Sequence, residues 1–220
     1  MFNVKFESEH IVIPVWVKDL ASFRRWANSD DFPEHGRICY LAGEVDIDLS
    51  RQEIFTHVSV KGVIAAVLGR HVKTAQMGLL LGDGARLSNV EADFSVIPDA
   101  LFVSAATRKD RLRLLDNTGE GYDELEGAPD MVLEVVSHTS VRKDTQQLRR
   151  AYWIAGIREY WLVDARKEPL YFDILRYAPQ GYRATPKKNG WIKSTVFGKS
   201  VRLTQQTNAL GHPEFTLEVR

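Results

Sequence analysis

The sequence predicts a single α/β or α+β domain in which helices flank a central mixed β-sheet. The chain has 220 residues, a length that suits one large domain. Hydrophobic residues make up 44% and charged residues 26%, as in ordinary globular proteins. Strand-like apolar runs alternate with helical stretches, and no linker interrupts the series. We therefore expect one domain over residues 1–220.

Hydrophobic periodicity and turn residues give the order of the elements. The run Met-Val-Leu-Glu-Val-Val over 131–136 is typical of a buried central strand. The long second helix has Ile54, Val58, Val63, Ala66 and Val67 on roughly one side. The predicted elements are helices over 18–28, 51–72 and 140–155, a hairpin over 37–49, strands over 76–81, 85–90, 94–104, 131–136, 158–164 and 170–178, and short strands within 182–220.

Composition excludes several classes of protein. Cys39 is the sole cysteine, so an intrachain disulfide and a cysteine-based zinc cluster are excluded. The longest apolar run, Ile11 to Val17, contains Pro14 and is far shorter than the roughly 20 residues that cross a bilayer. No basic n-region precedes this run, as one would in a signal peptide. We expect a cytoplasmic protein with no membrane partner.

Charge is unevenly distributed along the chain. Lysine plus arginine equals aspartate plus glutamate, 29 each. Residues 1–141 hold 14 basic and 22 acidic side chains, whereas residues 142–220 hold 15 and 7, so the two parts carry −8 and +8. The basic part suits an anionic partner, and it equally suits a solvated basic face. The neutral total argues against strong non-specific binding to nucleic acid.

Two acidic residues occupy strands in which burial is expected. Glu134 lies in the middle of the apolar run 131–136, and Asp99 lies in Val-Ile-Pro-Asp-Ala-Leu-Phe-Val. A lone buried carboxylate is costly unless it is protonated, pairs with a cation or binds a metal. Alternation along each strand would let Asp99 and Glu134 face each other if the two strands are neighbours.

This pair of acids has two interpretations. Two carboxylates about 4 Å apart would repel by about 4 kcal/mol at an effective dielectric near 20. A divalent cation would turn this repulsion into attraction, and oxygen ligands suit Mg²⁺ or Mn²⁺. Alternatively, Glu134 lies on an edge strand facing water, and Asp99 merely ends a turn after Pro98.

Several segments, in order along the chain, resemble the Uma-type family of restriction-endonuclease-like proteins. They are Pro98-Asp99, the run Ala-Pro-Asp-Met-Val-Leu-Glu-Val-Val-Ser-His-Thr-Ser over 128–140, and Gly-Ile-Arg-Glu-Tyr-Trp-Leu-Val-Asp over 156–164. His35-Gly36-Arg37 through Gly43-Glu44-Val45 is similar to the family's early segment. The resemblance covers about residues 20–218, nearly the whole chain.

The resemblance implies the PD-(D/E)XK nuclease fold, a mixed central sheet with acidic metal ligands on adjacent strands. Carried over by position, Asp99 and Glu134 are the metal-binding carboxylates, with Val135 in the same metal site and Glu44 as an accessory acid. His57 is implied near the pocket, as a ligand or as a phosphate contact. The implied cofactor is Mg²⁺ or Mn²⁺, which would neutralise charge on the scissile phosphate and acidify an attacking water.

The chain departs from the family pattern at the basic residue. The usual lysine of the fold would be at position 136, and many family members place it at a position matching 148. This chain has Val136 and Leu148 there. The nearest cations are Lys143, Arg149 and Arg150. We therefore assign the catalytic set to Asp99, Glu134, Lys143 and Arg149, and substrate binding to His57, Arg149 and Arg150.

Two functional hypotheses remain open from the sequence. The first is a metal-dependent endonuclease that hydrolyses phosphodiester bonds in DNA. We expect it to act as a homodimer, as restriction-like folds often do. The second is a catalytically degenerate module of the same fold that binds nucleic acid or a protein partner without turnover. The absence of lysine at positions 136 and 148 favours the second hypothesis, and the presence of both acids favours the first.

Overall fold

The strands form two six-stranded sheets and one four-stranded sheet in the computed structural model, which describes residues 11–117, 119 and 121–220. The mixed α+β class is therefore confirmed, although the strands are divided among three sheets. Residues 1–10, 118 and 120 of the predicted domain lie outside the described residues. The helices are α1 Leu20–Ala27, α2 Val60–Thr74, α3 Ala105–Asp110 and α4 Leu148–Ile154, and π-helical turns Ile54–Ser59 and Lys143–Gln147 lead into α2 and α4.

The sixteen strands of the described residues include most of the predicted ones at nearly the predicted positions. They are β1 Arg37–Leu41, β2 Glu44–Asp48, β3 Gly78–Gly82, β4 Arg86–Asn89, β5 Phe94–Val96, β6 Ala100–Ser104, β7 Leu112–Leu115, β8 Glu124–Gly127, β9 Met131–Val135, β10 Glu159–Asp164, β11 Tyr171–Arg176, β12 Arg183–Ala184, β13 Lys187–Lys188, β14 Trp191–Lys193, β15 Ser200–Thr207 and β16 Pro213–Val219.

The central sheet has the order β12-β11-β10-β9-β6-β3, and helices cover both of its faces. Strands β9 and β10 are parallel, and β6 runs antiparallel to β9. On one face, alternate residues of β9 such as Leu133 pack in one cluster with Ile64 of α2. On the other face, Val132 packs in one cluster with Leu148 and Tyr152 of α4. Glu134 shares this second face because side chains alternate along a strand.

The predicted strand over 94–104 is two strands that belong to different sheets. β5 pairs with β1 and β4 in the sheet β2-β1-β5-β4-β8-β7, whereas β6 pairs with β3 and β9. The chain changes sheets at residues 97–99, where Pro98 lacks the N–H that a continuous ladder needs. Asp99 therefore lies at the junction of the two large sheets.

The register of β6 against β9 fixes where Asp99 and Glu134 lie. Ala100 pairs with Leu133 and Leu101 pairs with Val132. One further step along this antiparallel register sets Asp99 opposite Glu134, just beyond the end of the ladder. The two strands are thus neighbours, as the interpretation of facing acids required.

The remaining parts of the chain pack around these sheets. The sheet β2-β1-β5-β4-β8-β7 and α1 enclose an aromatic cluster that includes Phe23, Trp26 and Tyr40. The sheet β13-β14-β15-β16 packs on α2, and Phe215 and Leu217 join the same core cluster as Ile64. None of the helices among the described residues has the length and apolar character needed to cross a membrane.

Candidate active site

A cleft of about 370 Å³ opens where the two large sheets meet. Its wall contains five of the residues predicted from the sequence, which come from four separate parts of the chain. His57 belongs to the π-helical turn before α2, Asp99 to the sheet junction, Glu134 and Val135 to the end of β9, and Lys143 to the turn before α4. The central sheet and its two flanking helices thus position all five.

Asp99 is buried and surrounded by cations. Its Oδ1 atom lies 3.0 Å from Arg37 Nη2 and 3.3 Å from Lys61 Nζ. Its Oδ2 atom accepts a hydrogen bond from the backbone N–H of Val135 at 2.8 Å. A carboxylate offers about four acceptor positions. These three contacts therefore leave about one position, on Oδ2.

Glu134 is buried with one hydrogen bond, which Tyr152 Oη donates to Oε1 at 2.6 Å. Oε2 makes no hydrogen bond to a described residue. Burial raises the pKa of Glu134 well above its usual range, and the nearby Asp99 and Asp144 carboxylates raise it further. A cation bound beside Glu134 would reverse this effect and favour the ionised form.

Asp144 is a third buried acid that lines the same cleft, on the side of α4. Burial raises the pKa of Asp144 to about 7, although a hydrogen bond donated by Ser140 Oγ opposes that rise. Lys143 lines the cleft, and its Nζ lies 3.0 Å from Asp46 Oδ2, an acid outside the lining. Burial opposes the charge of Lys143, yet its acidic surroundings leave its pKa above the usual value.

His57 faces Asp99 without a hydrogen bond. Its Nε2 atom is 3.7 Å from Asp99 Oδ2, which is too long for a hydrogen bond, and its buried Nδ1 has no partner among the described residues. Burial lowers the pKa of His57. The Asp99 carboxylate opposes this shift, and the charges of Lys61 and Arg37 add to it. A neutral imidazole beside a carboxylate is a suitable metal ligand or water contact.

Three predicted residues lie away from the cleft. Glu44 is exposed at the start of β2, where it lines a different groove together with Arg150. Arg149 points to the other side of α4, where its Nη2 donates to the carbonyl of Tyr182 at 3.1 Å. Arg149 and Arg150 follow Leu148, the residue of this helix that lines the cleft, and so they project from other faces of the helix. The structure does not bring these three residues to Asp99.

Four polar residues near Asp99 and Glu134 were not assigned to the site from the sequence. Arg37 and Asp144 line the cleft, and Lys61 and Asp83 contact Arg37 or Asp99 just behind it. Lys61 had a detectable signal, because it lies four residues after His57 and therefore on the same helical face. Asp83 had no such signal, because an aspartate between two glycines is common in turns and needs no further role.

The donor set around Asp99 and Glu134 fits a hard divalent cation with few protein ligands. Among the described residues, no group of three or more His, Cys, Asp or Glu side chains is close enough to hold a metal ion. Mg²⁺ needs no such group, because it is commonly bound by one or two carboxylates and keeps several waters. Three features are consistent with such a cation: the open position on Asp99, the Oε2 atom of Glu134, which has no hydrogen bond from the described part of the chain, and the raised pKa of Glu134.

Comparisons with known proteins give a family and a fold. A family model described as "Uma2: Putative restriction endonuclease" matches residues 20–206. The structure is similar to the crystal structure of a putative nuclease belonging to DUF820 from Anabaena variabilis ATCC 29413. The TM-score is 0.61 at 18% identity, over 82% of this chain and 90% of that chain, which shows a shared fold. No curated protein matches the chain.

Proposed function

The chain belongs to the Uma2 family of putative restriction endonucleases, and from this premise we propose that it hydrolyses phosphodiester bonds in DNA with a divalent metal. Family membership supports a nuclease, and the metal and the DNA substrate are our inference. The observation that carries the proposal is the placement of Asp99 opposite Glu134 in one cleft. We further propose a homodimer, as is common for restriction-like folds.

In this proposal Asp99 and Glu134 hold Mg²⁺ or Mn²⁺, with Val135 beside them. The metal would neutralise charge on the scissile phosphate and acidify a water molecule. Glu134 would lose its proton when the metal binds, because the cation offsets the burial and the neighbouring negative charges. Neutral His57 would orient a water or complete the ligand set from the open side of Asp99.

Lys143 would contact the phosphate without accepting a proton. Its raised pKa keeps the ammonium charged at neutral pH, so it is a poor general base. Its contact with Asp46 is at the edge of the cleft, and a phosphate group could replace that contact. Arg149, Arg150 and Glu44 have no part in the proposed reaction, since they lie outside the cleft.

Cleavage of supercoiled DNA in Mg²⁺ or Mn²⁺ tests the proposal. Asp99→Asn and Glu134→Gln should each reduce the cleavage rate by at least about 100-fold, because each removes a charge that holds the metal. Asp110→Asn is a matched control, since Asp110 is an exposed acid at the end of α3 outside the cleft. Cleavage at the rate of the native protein in both cleft variants would refute the assignment.

One observation favours the second hypothesis, a binding module without turnover. Val136 and Leu148, where a lysine would be expected, are both buried and apolar. That hypothesis predicts salt-sensitive DNA binding with no cleavage. Leu148 lines the cleft, so Leu148→Lys would direct a cation into it. A strong gain of cleavage in a folded Leu148→Lys protein would show a catalytic site, and no cleavage in either protein would favour the binding module.

A further inference from the structure

Arg37 is a cation of the cleft that has unused hydrogen-bond donors. Its Nη2 atom donates to Asp99 Oδ1 at 3.0 Å and to Asp83 Oδ2 at 2.6 Å. The two hydrogens of Nη2 are thereby used. Nη1 and Nε, which carry three further N–H groups, make no hydrogen bond to a described residue. Arg37 lines the cleft and its side chain is 23% exposed, so these donors can meet a ligand that enters.

Lys61, by comparison, has three polar partners. Its Nζ donates to Gln52 Oε1 and to Asp83 Oδ2, both at 2.8 Å, and lies 3.3 Å from Asp99 Oδ1. Two of the three ammonium donors thus make hydrogen bonds, and the contact with Asp99 is an ion pair. Its side chain is 10% exposed and does not line the cleft. Lys61 therefore neutralises part of the negative charge of Asp99 and Asp83 without lining the cleft.

Asp83 links the two cations and so fixes the direction of Arg37. It lies in the turn between β3 and β4, and its Oδ2 atom accepts from both Arg37 and Lys61. A carboxylate that binds one end of a guanidinium restricts the plane of the group, because the guanidinium is rigid. The unused edge of Arg37 is thereby kept beside Asp99.

We propose that Arg37 is a second phosphate-contacting cation of this site, which acts beside Asp99 in place of the lysine that is missing at positions 136 and 148, and that Asp83 and Lys61 are its positioning residues. This inference rests on the proposed function, because it takes a phosphodiester as the ligand. Arg37 contacts the acid assigned to the metal, so a phosphate bound at that metal would come within its reach. Lys143 has no such contact with Asp99; its partner is Asp46.

The chemical role follows from the nature of the guanidinium. Arginine stays protonated at any ordinary pH, and the acids Asp99 and Asp83 outweigh the burial that opposes its charge. Arg37 would therefore donate two hydrogen bonds to phosphate oxygens and stabilise charge that develops in the transition state. It transfers no proton, so the proton of the attacking water must leave by another route.

The test compares Arg37→Gln and Arg37→Lys with Arg113→Gln, which removes a largely exposed arginine outside the cleft. DNA binding is measured in Ca²⁺ over a range of salt concentrations, DNA cleavage in Mg²⁺, and metal binding with Mn²⁺ alone. In Arg37→Gln, the slope of log affinity against log salt should fall by about one phosphate contact. Cleavage should fall about 100-fold, and Mn²⁺ should bind at least as tightly as to the native chain.

Each outcome bears on the inference. If Arg37 had only a structural role, Arg37→Gln would bind Mn²⁺ more weakly and would also melt at a lower temperature. This result would overturn the inference. Arg37→Lys keeps the charge, so it should fold and cleave at a rate between those of the native chain and Arg37→Gln. If Arg37→Gln matches the native chain while Asp99→Asn does not cleave, the role of Arg37 is refuted and the proposed function stands. If the native chain does not cleave, yet Arg37→Gln lowers the salt slope, the phosphate contact stands and the proposed catalysis fails.

Discussion

Glu134 shows how a single residue can lower stability in order to serve a site. It lies in the central strand, makes one hydrogen bond, and has a pKa raised by burial and by two neighbouring acids. Folding therefore favours its protonated form, and ionisation at neutral pH costs stability. A residue with this cost and no structural benefit is expected at functional sites.

Glu134→Gln should make the protein more stable. The amide has nearly the same shape, keeps an oxygen that accepts from Tyr152, and removes the cost of a buried acid. The free energy of unfolding at pH 8 should rise by about 1–2 kcal/mol. Denaturant unfolding of both proteins without metal checks this, and a clearly less stable variant would contradict it.

Asp144→Asn should stabilise the protein only above a certain pH. Burial raises the pKa of Asp144 from 3.8 to about 7, so the folded state binds a proton more tightly than the unfolded state. The favourable contribution of this proton is complete below about pH 4 and is lost as the pH rises through about 7. The variant should thus match the native chain near pH 4 and exceed it by about 4 kcal/mol at pH 8. Thermal melts across this range would refute the prediction if the difference stayed constant.

The sequence identified the two central residues of the candidate site because each is an acid in an apolar strand, Glu134 and Asp99. Their partners were harder to find. Arg37 begins the predicted hairpin and belongs to a segment that resembles the family, but neither observation gives it a contact with the acids. Its contacts with Asp99 and Asp83 join residues 62 and 46 positions apart, and such distant pairs leave no local pattern in one sequence.

Among the elements, the helix over 51–72 was predicted correctly, but its apolar residues do not all face the core. Ile54 and Val58 were placed on one side together with Val63 and Val67. They are exposed, whereas Val63 and Val67 pack against the core. The inward positions near the start of this helix are His57 and Lys61, which face the site, and the apolar face begins at Val60. Hydrophobic periodicity fails here because polar residues are buried for their contacts with Asp99.

The strand β10 begins with a buried acid, Glu159, whose role is structural. Glu159 accepts five hydrogen bonds: from Trp161 Nε1, Ser194 Oγ, the backbone N–H and Oγ1 of Thr195, and the backbone N–H of Val196. These bonds attach the loop between β14 and β15 to the central sheet. The family-like Glu-Tyr-Trp-Leu-Val-Asp segment thus contains an anchor for the C-terminal sheet.

Glu159→Gln should destabilise the protein by about 2–4 kcal/mol, because the new amide hydrogens would face buried N–H and O–H donors. The same chemical change at Glu134, on the neighbouring strand, is expected to be stabilising. The comparison controls for the loss of a charge. If the free energy of unfolding changed by the same amount and in the same direction in Glu159→Gln and Glu134→Gln, the proposed difference between these two residues would be contradicted.

For the whole molecule, composition and the order of elements were sufficient to predict a mixed α+β fold. The division into three sheets was not predictable in the same way, because it depends on pairings such as β4 with β8 and β6 with β9, which join distant segments. The break at Pro98 decides which sheet each half of 94–104 joins. That break also positions Asp99, so the fold and the site share one local cause.

The central claim is that Asp99 and Glu134 bind one cation together, and titration calorimetry with Mn²⁺ tests it most directly. The native chain should bind Mn²⁺, and the melting temperature should rise with the metal, because a ligand that binds only the folded state stabilises it. Asp99→Asn and Glu134→Gln should each abolish both effects, while Asp110→Asn should keep them. Mn²⁺ binding that is undiminished in both cleft variants would contradict the account.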